Sequence, residues 1–178
     1  MEKGLKQFEI QFSGLKLGEH QFDFQIDEKF FSEFGFEDFE KARIGAKMKM
    51  LKRETQMALE LSLEGELWLP CDITDEKFWL PIKSQSELTV KFGDEYDDSE
   101  EDLLILPHGE FRFNVAQYFY EMGVLAKPLK VVHPDVEAGK KGQEVLARLE
   151  DLSPQNQEEQ KDDEDTDPRW DKLKDLLN

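Results

Sequence analysis

The sequence predicts an α+β fold: a mostly antiparallel sheet, with a barrel-like curl as one option, plus covering helices and a tethered C-terminal helix. Two long segments between residues 57 and 92 alternate apolar with polar residues, which is the period of strands that have one buried face. Two later segments repeat apolar residues at helical spacing. A charged stretch without apolar periodicity precedes the last amphipathic segment, so we expect a tether there.

The sheet is expected to begin with two short strands rich in phenylalanine. Their apolar positions are Phe8, Ile10 and Phe12, then Phe22, Phe24 and Ile26. Asp27 is a candidate N-cap for a short helix that carries Phe30, Phe31 and Phe34. We expect these aromatic rings to build the core, since aromatic side chains dominate core burial. A ligand-binding or base-stacking surface is the alternative.

A third strand is predicted from Lys41 to about Met50, and it carries the only basic stripe of the chain. Apolar residues occupy one face, and the other face holds the four residues of this basic stripe, Lys41, Arg43, Lys47 and Lys49. If the strand pairs antiparallel with the next one, the glutamates at positions 60, 64 and 66 lie beside the stripe and form ion pairs with it. Alternatively, the stripe contacts RNA, because clustered Lys and Arg are the usual footprint of phosphate binding.

The central strands are predicted from Met57 to Leu69 and from Phe78 to Phe92, joined by a corner that contains Cys71. Their buried face is expected to hold Met57, Leu59, Leu61, Leu63, Leu67, Leu69, Phe78, Leu80, Ile82, Leu88, Val90 and Phe92. Gly65 interrupts the first row, where a bulge or a sharp bend would let the sheet coil. Asp72 follows the cysteine, and a carboxylate close to the thiol would raise the pKa of that thiol.

The segment after Phe92 is strongly acidic and is expected to be a solvated loop. Its letters, GDEYDDSEED, lack the glycine and glutamate spacing of a calcium-binding loop. A short strand, Asp102–Pro107, follows. A helix over residues 114–126 then has Asn114 and Gln117 as a candidate capping box. The apolar face of this helix is expected to hold Val115, Tyr118, Phe119, Met122 and Leu125.

Two further features complete a predicted domain that covers residues 1–152. His133 precedes a proline, and we expect it at the surface of a loop without partner ligands. Gln143–Leu152 is expected to be an amphipathic helix, with four apolar residues on one side, Val145, Leu146, Leu149 and Leu152.

The rest of the chain is predicted to be a tethered binding element. Residues 153–166 are expected to form a disordered acidic linker, since their composition supports no burial. Residues 167–178 are expected to form an amphipathic helix with Pro168 at its first position. The candidate partner-binding residues on this helix are Arg169, Trp170, Leu173 and Leu177. Docking on the protein's own sheet and docking on a partner both stay open.

The composition limits the classes of function. A net charge of −18 repels phosphate backbones at long range and favours basic partners. The single cysteine excludes an internal disulfide. No segment is apolar enough for a signal peptide or a membrane span, so we expect a cytoplasmic protein. No glycine-rich phosphate loop, nucleophile elbow or metal-ligand spacing is present, so we expect neither an enzyme nor a cofactor.

Four segments occur in an order that resembles a known family. They are GELWLPCDIT on the central strand, DLLIL after the acidic segment, LAKPLKVVH at the end of a helix, and the C-terminal DPRWDKLKDLL. This order resembles the YceD family of bacterial large ribosomal RNA subunit accumulation proteins. The family has a Cys-x-x-Cys at the strand corner and a second cysteine pair after the helix. Here Cys71 matches the first cysteine, Thr74 stands in place of its partner, and no cysteine follows Pro128, so we expect no zinc site.

The resemblance implies a non-enzymatic role in the accumulation of large-subunit ribosomal RNA. Together with the acidic charge, it suggests binding of a basic ribosomal protein or assembly factor, with the basic stripe as a local RNA contact. The alternative is a barrel-like protein that binds a small molecule or lipid in a cavity lined by phenylalanines.

Overall fold

The structure, a computed structural model, describes residues 4–152. Of these residues, those up to Lys141 belong to one compact unit and those from Gly142 onward to a second. The predicted linker and the predicted C-terminal helix lie outside the described residues, and the single domain over residues 1–152 stays a prediction.

The first unit is built on a six-stranded sheet. In chain order, the strands of this unit are β1 (Glu9–Gln11), β2 (Gly18–Ile26), β3 (Lys41–Lys52), β4 (Gln56–Pro70), β5 (Lys77–Gly93), β6 (Asp97–Glu100), β7 (Leu103–Pro107) and β8 (Arg112–Asn114). The order across the sheet is β2-β3-β4-β5-β7-β6, and β1 pairs with β8 in a separate two-stranded ribbon. The pairs are antiparallel except for β5 with β7, which is parallel.

The helices are short. They are a 3-10 turn at Lys6–Phe8, then α1 (Glu28–Ser32), α2 (Ala116–Leu125), α3 (Pro134–Glu137) and, in the second unit, α4 (Gln143–Leu152). Of the helices in the described residues, none is long and apolar enough to cross a membrane.

The α+β prediction is confirmed, but the barrel option is wrong. The sheet is open, with β2 at one edge and β6 at the other. The first strand pairs with β8, where Ile10 lies opposite Phe113, instead of extending the sheet beside β2. No described strand therefore connects the two edges.

The alternation predicted for the long strands is confirmed. The buried residues on the inner face of β3, β4 and β5 are Ala42, Ile44, Ala46, Met48, Met50, Met57, Leu59, Leu61, Leu63, Leu67, Leu69, Phe78, Ile82, Leu88 and Val90. Leu80 and Phe92, at the predicted positions of the same face, are half-buried. The opposite face of the sheet is polar over most of its length, as period-2 strands require.

Most of the phenylalanines lie in the core, as predicted, although Phe22 and Phe34 are only half-buried and Phe111 is exposed. The Phe8 ring lies 5.0 Å from Phe24 and 4.8 Å from Phe30, measured between ring centroids. Phe119 of α2 closes the cluster, 5.5 Å from Phe24. Phe8 lies in the 3-10 turn, so β1 starts one residue later than the predicted strand. Asp27 caps α1 as predicted, because its carboxylate accepts hydrogen bonds from two N–H groups of the first turn.

Two details of α2 differ from the prediction. The Asn114 carboxamide oxygen accepts a hydrogen bond from the Ala116 N–H, but Gln117 donates to Glu121, so the capping box does not form. Leu125 is 82% exposed, and its predicted place on the buried face is wrong. The buried side of α2 includes Ala116 and Gly123. With a rotation of 100° per residue around the helix axis, Leu125 lies on the side of the helix away from these two residues.

The acidic segment is not entirely a loop. Asp97–Glu100 forms β6, which pairs antiparallel with β7 at the sheet edge, and all four side chains are exposed. Backbone hydrogen bonds hold such a strand whatever its side chains are, and charged side chains are common on edge strands.

In the second unit, α4 has the predicted bounds. Val145, Leu149 and Leu152 of its predicted apolar face are exposed.

Gly65 allows β3 and β4 to approach closely, and of the two predicted alternatives, a bulge or a sharp bend, the bulge is wrong. The register continues without interruption through Gly65, which lies opposite Ile44 on β3 and Ile82 on β5. A Cβ atom at this position would overlap with the carbonyl oxygen of Arg43 and lie 2.6 Å from the Cα of Ile44. The backbones of β3 and β4 are too close together at this point to leave room for any side chain at position 65.

Replacing Gly65 with alanine should lower the free energy of unfolding by about 3 kcal/mol, since the obstructing atoms belong to the backbone and yield only if the strands separate. Urea denaturation measures this change. Gly45→Ala is the matched control, because its Cβ would meet nothing closer than 3.8 Å. Equal urea midpoints for the two variants would contradict the close approach.

Candidate functional site

The basic stripe lies on the outer face of β3, and all four of its side chains are exposed. Lys49 is opposite Glu60 on β4, and the two charged groups are 4.0 Å apart. Both side chains are about 70% exposed, so this ion pair contributes little stability. The cross-strand pairing expected for the stripe is therefore present at Lys49.

At the other end of the stripe Arg43 lies opposite Glu66, as expected, but the closest contacts of the cations are with tryptophan rings. Trp68 on β4 and Trp79 on β5 are cross-strand neighbours on the outer face, and their ring centroids are 5.2 Å apart. The Arg43 guanidinium lies over Trp79 at 4.2 Å, and the Lys41 ammonium lies 5.7 Å from the centre of Trp68. We call Lys41, Arg43, Trp68 and Trp79 the tryptophan platform.

A second site is the corner between β4 and β5, which is fastened to the segment after α2. Cys71 is 2% exposed, and its sulfur accepts a hydrogen bond from the His133 N–H at 3.3 Å. The Asp72 carboxylate accepts a hydrogen bond from the Val131 N–H at 2.6 Å. Nδ1 of His133 accepts one from the Asp135 N–H and so caps α3. The prediction that His133 is a surface residue is wrong, because this side chain is only 17% exposed.

The cysteine thiol is more acidic than the sequence predicted. Burial raises the pKa of Cys71. The Thr74 hydroxyl and the backbone N–H groups of His133, Ile73 and Thr74 lower it by a larger amount, so the resulting pKa is about 7. Among the described residues, the buried Thr74 hydroxyl oxygen has no partner with good hydrogen-bond geometry. The hydrogen bond from the His133 N–H to the Cys71 sulfur is therefore the better-defined of the two contacts. Asp72 would have raised the pKa of Cys71 had its carboxylate been close to the thiol, but Asp72 is not among the causes of the shift, and its carboxylate is hydrogen-bonded to the Val131 N–H.

The third site is a groove between α2 and the turn from β6 to β7. Carboxylates of Asp98, Glu100, Glu101 and Glu121 line it, and its apolar part comes from α2. The residues on α2 that line this acidic groove are Gln117, Tyr118, Glu121, Met122 and Leu125. Burial, together with the nearby Tyr96, Asp98 and Glu121, raises the pKa of Tyr118 to about 12. The groove therefore combines negative potential with an exposed apolar side chain.

A comparison with family models identifies the chain. The model described as large ribosomal RNA subunit accumulation protein YceD matches residues 59–177, which is more than half of the sequence. The chain belongs to the YceD family. A search of curated proteins and a search of solved structures gave no match.

The structure also explains how this YceD chain differs from the cysteine-bearing pattern of the family. A zinc ion needs four ligands in tetrahedral geometry. Cys71 and His133 meet at the corner, but Thr74 replaces a thiolate and Nδ1 of His133 is already hydrogen-bonded. The described residues contain no group of three or more His, Cys, Asp or Glu side chains that could hold a metal. These residues do not fit a zinc ion, and hydrogen bonds join the two segments instead.

Sequence reasoning found the basic stripe and missed the tryptophan platform and the acidic groove. One signal was available: Trp68 and Trp79 both fall at polar-face positions of their strands. The candidate partner-binding residues Arg169, Trp170, Leu173 and Leu177 lie outside the described residues, and their role stays a prediction.

The low thiol pKa makes stability depend on pH. Because the folded-state pKa of Cys71, about 7, is below the ordinary value of 9.0, the thiolate stabilises the fold above about pH 9. This contribution, about 3 kcal/mol, should disappear as the pH falls through 7. Urea unfolding at a series of pH values, compared with Cys71→Ala, isolates it. A constant difference between the two proteins across this range would contradict the low pKa.

Proposed function

We propose that this protein is a non-enzymatic factor that supports the accumulation of large-subunit ribosomal RNA by binding a basic protein in its acidic groove. The family match supports the role in large ribosomal RNA subunit accumulation. The partner that the groove fits is a lysine- or arginine-rich segment of a ribosomal protein or assembly factor, encountered in the cytoplasm. The observation that carries this proposal is the groove itself, with four carboxylates beside the exposed Leu125.

The charges favour such a partner at long and short range. The net charge of −18 draws basic proteins toward the surface and accelerates their association. Within the groove, Glu100, Glu101 and Glu121 offer separate anchors for cationic side chains. Leu125 and the buried Met122 offer apolar contact between these anchors. An amphipathic basic segment satisfies both kinds of group at once.

The alternative function, binding of a small molecule or lipid in a barrel, requires a closed sheet around a cavity lined by phenylalanines, and the described residues form neither. The sheet is open, and the phenylalanine rings pack against one another in the core.

The triple variant Glu100→Gln, Glu101→Gln, Glu121→Gln should weaken partner binding about tenfold, since three exposed charge contacts contribute roughly 0.5 kcal/mol each. Two readouts apply: sedimentation with large-subunit precursors, and the ratio of large- to small-subunit ribosomal RNA in cells that make only the variant. Leu125→Ser should act in the same direction, and both variants should stay folded because the mutated side chains are exposed.

Matched controls carry the same changes elsewhere on the surface. Glu37→Gln, Asp38→Asn, Glu54→Gln removes three exposed charges outside the groove, and Leu129→Ser removes an exposed leucine. Normal ribosomal RNA levels and normal sedimentation in the groove variants would refute the proposal. A chain that ends at Leu152 tests the predicted C-terminal contact separately: it should still sediment with precursors if the groove is the main contact.

A further inference from the structure

We infer that the tryptophan platform is a contact site for single-stranded RNA. The inference deepens the proposed function and rests on it for the source of the RNA, but it involves a different surface. Its basis is the arrangement of two tryptophans and two cations on the outer face of the sheet.

The two tryptophans are not needed to fill the core. The buried side of the sheet at this level is already occupied by Leu67, Leu69 and Phe78. Trp68 and Trp79 point the other way and stay partly exposed, on a face that is otherwise polar. Their contact with each other stabilises the strand pair, as cross-strand aromatic pairs do. That contact still leaves part of each ring exposed to solvent.

The neighbouring cations lie against the tryptophan rings, although Glu66 is directly opposite Arg43 and the charge of Lys41 acts on the Glu40 carboxylate. Among the described residues, Lys41 and Arg43 form no ion pair, whereas Lys49 pairs with Glu60 and Lys77 pairs with Glu40. The last pair of the β2–β3 ladder involves Ile44, so the part of β3 that carries the two free cations extends beyond β2. From this end of β3 their head groups reach across the outer face to the tryptophans of β4 and β5.

This combination fits single-stranded RNA better than a duplex or a protein. Bases stack on aromatic side chains and on guanidinium groups, while phosphates bind Lys and Arg. Stacking requires bases that are not paired in a helix, so duplex RNA does not satisfy the rings. A basic protein would be repelled by the two free cations. Two phosphate contacts predict a slope of about −1.4 for the logarithm of the association constant against the logarithm of the salt concentration.

The intrinsic fluorescence of the platform provides the test. The chain has three tryptophans, so Trp170→Phe leaves Trp68 and Trp79 as the only tryptophans of the full-length protein, and excitation selective for tryptophan avoids emission from its three tyrosines. Titration with a short oligouridine at low salt should quench this emission, and a duplex of equal length should quench it much less. Lys41→Gln, Arg43→Gln should weaken oligouridine binding about tenfold and bring the salt slope close to zero.

The control is on the same face of the same strand. Lys47→Gln, Lys49→Gln removes equal charge away from the tryptophans and should change affinity less than about twofold. Trp79→Leu should lose about tenfold in affinity, and circular dichroism checks that it is folded. Absence of quenching, equal quenching by the duplex, or equal losses from the Lys41, Arg43 variant and the Lys47, Lys49 variant would overturn the inference. The acidic-groove variants should bind oligouridine normally, so failure of one proposal is distinguishable from failure of the other.

Discussion

The register of β4 between β3 and β5 is the constraint on which the other surfaces depend. Because side chains alternate with a period of two, this register turns the leucines of β4 inward and its glutamates and Trp68 outward. A slip of one residue would reverse both faces. The same register places Trp68 between Lys41 on β3 and Trp79 on β5. The close approach of β3 and β4 at Gly65 restricts this register further, since only a residue without a side chain fits there.

The sheet also keeps two surfaces of opposite character apart. The tryptophan platform lies at the corner end of β5, and the acidic groove includes Ser86, seven residues further along that strand. At about 3.3 Å per residue, this separation is roughly 23 Å. Screening at physiological salt acts over about 8 Å, so each surface presents its own local field. The carboxylates nearest the tryptophan platform are those of Glu66, which lies opposite Arg43, and of Glu40, whose pKa is lowered mainly by its hydrogen bond with Lys77 and in part by the charge of Lys41.

Local patterns in the sequence were sufficient for the long strands, the Asp27 cap, α4 and the basic stripe. They failed where distant segments decide the structure. Ile10 pairs with Phe113, and this pairing left the sheet open instead of closed into a barrel. The Cys71 sulfur meets the His133 N–H across 62 residues, which no periodicity reveals. Leu125 was predicted to be buried because helical spacing shows where the centre of an apolar face lies but not how far the face extends to each side. In the structure the buried side of α2 includes Gly123 and leaves Leu125 exposed.

The β1–β8 ribbon has a consequence for how the chain folds during synthesis. Glu9 pairs with Asn114, so the first strand has no partner until more than a hundred further residues have been translated. At about 5–20 residues per second, that delay is roughly 5–20 s. The β2–β5 meander uses only neighbouring segments and can assemble in the meantime. Phe8 can pack early against Phe24 and Phe30, but Ile10 and Phe12 also need Phe113, so this part of the N-terminal segment stays incompletely covered on the nascent chain for that interval.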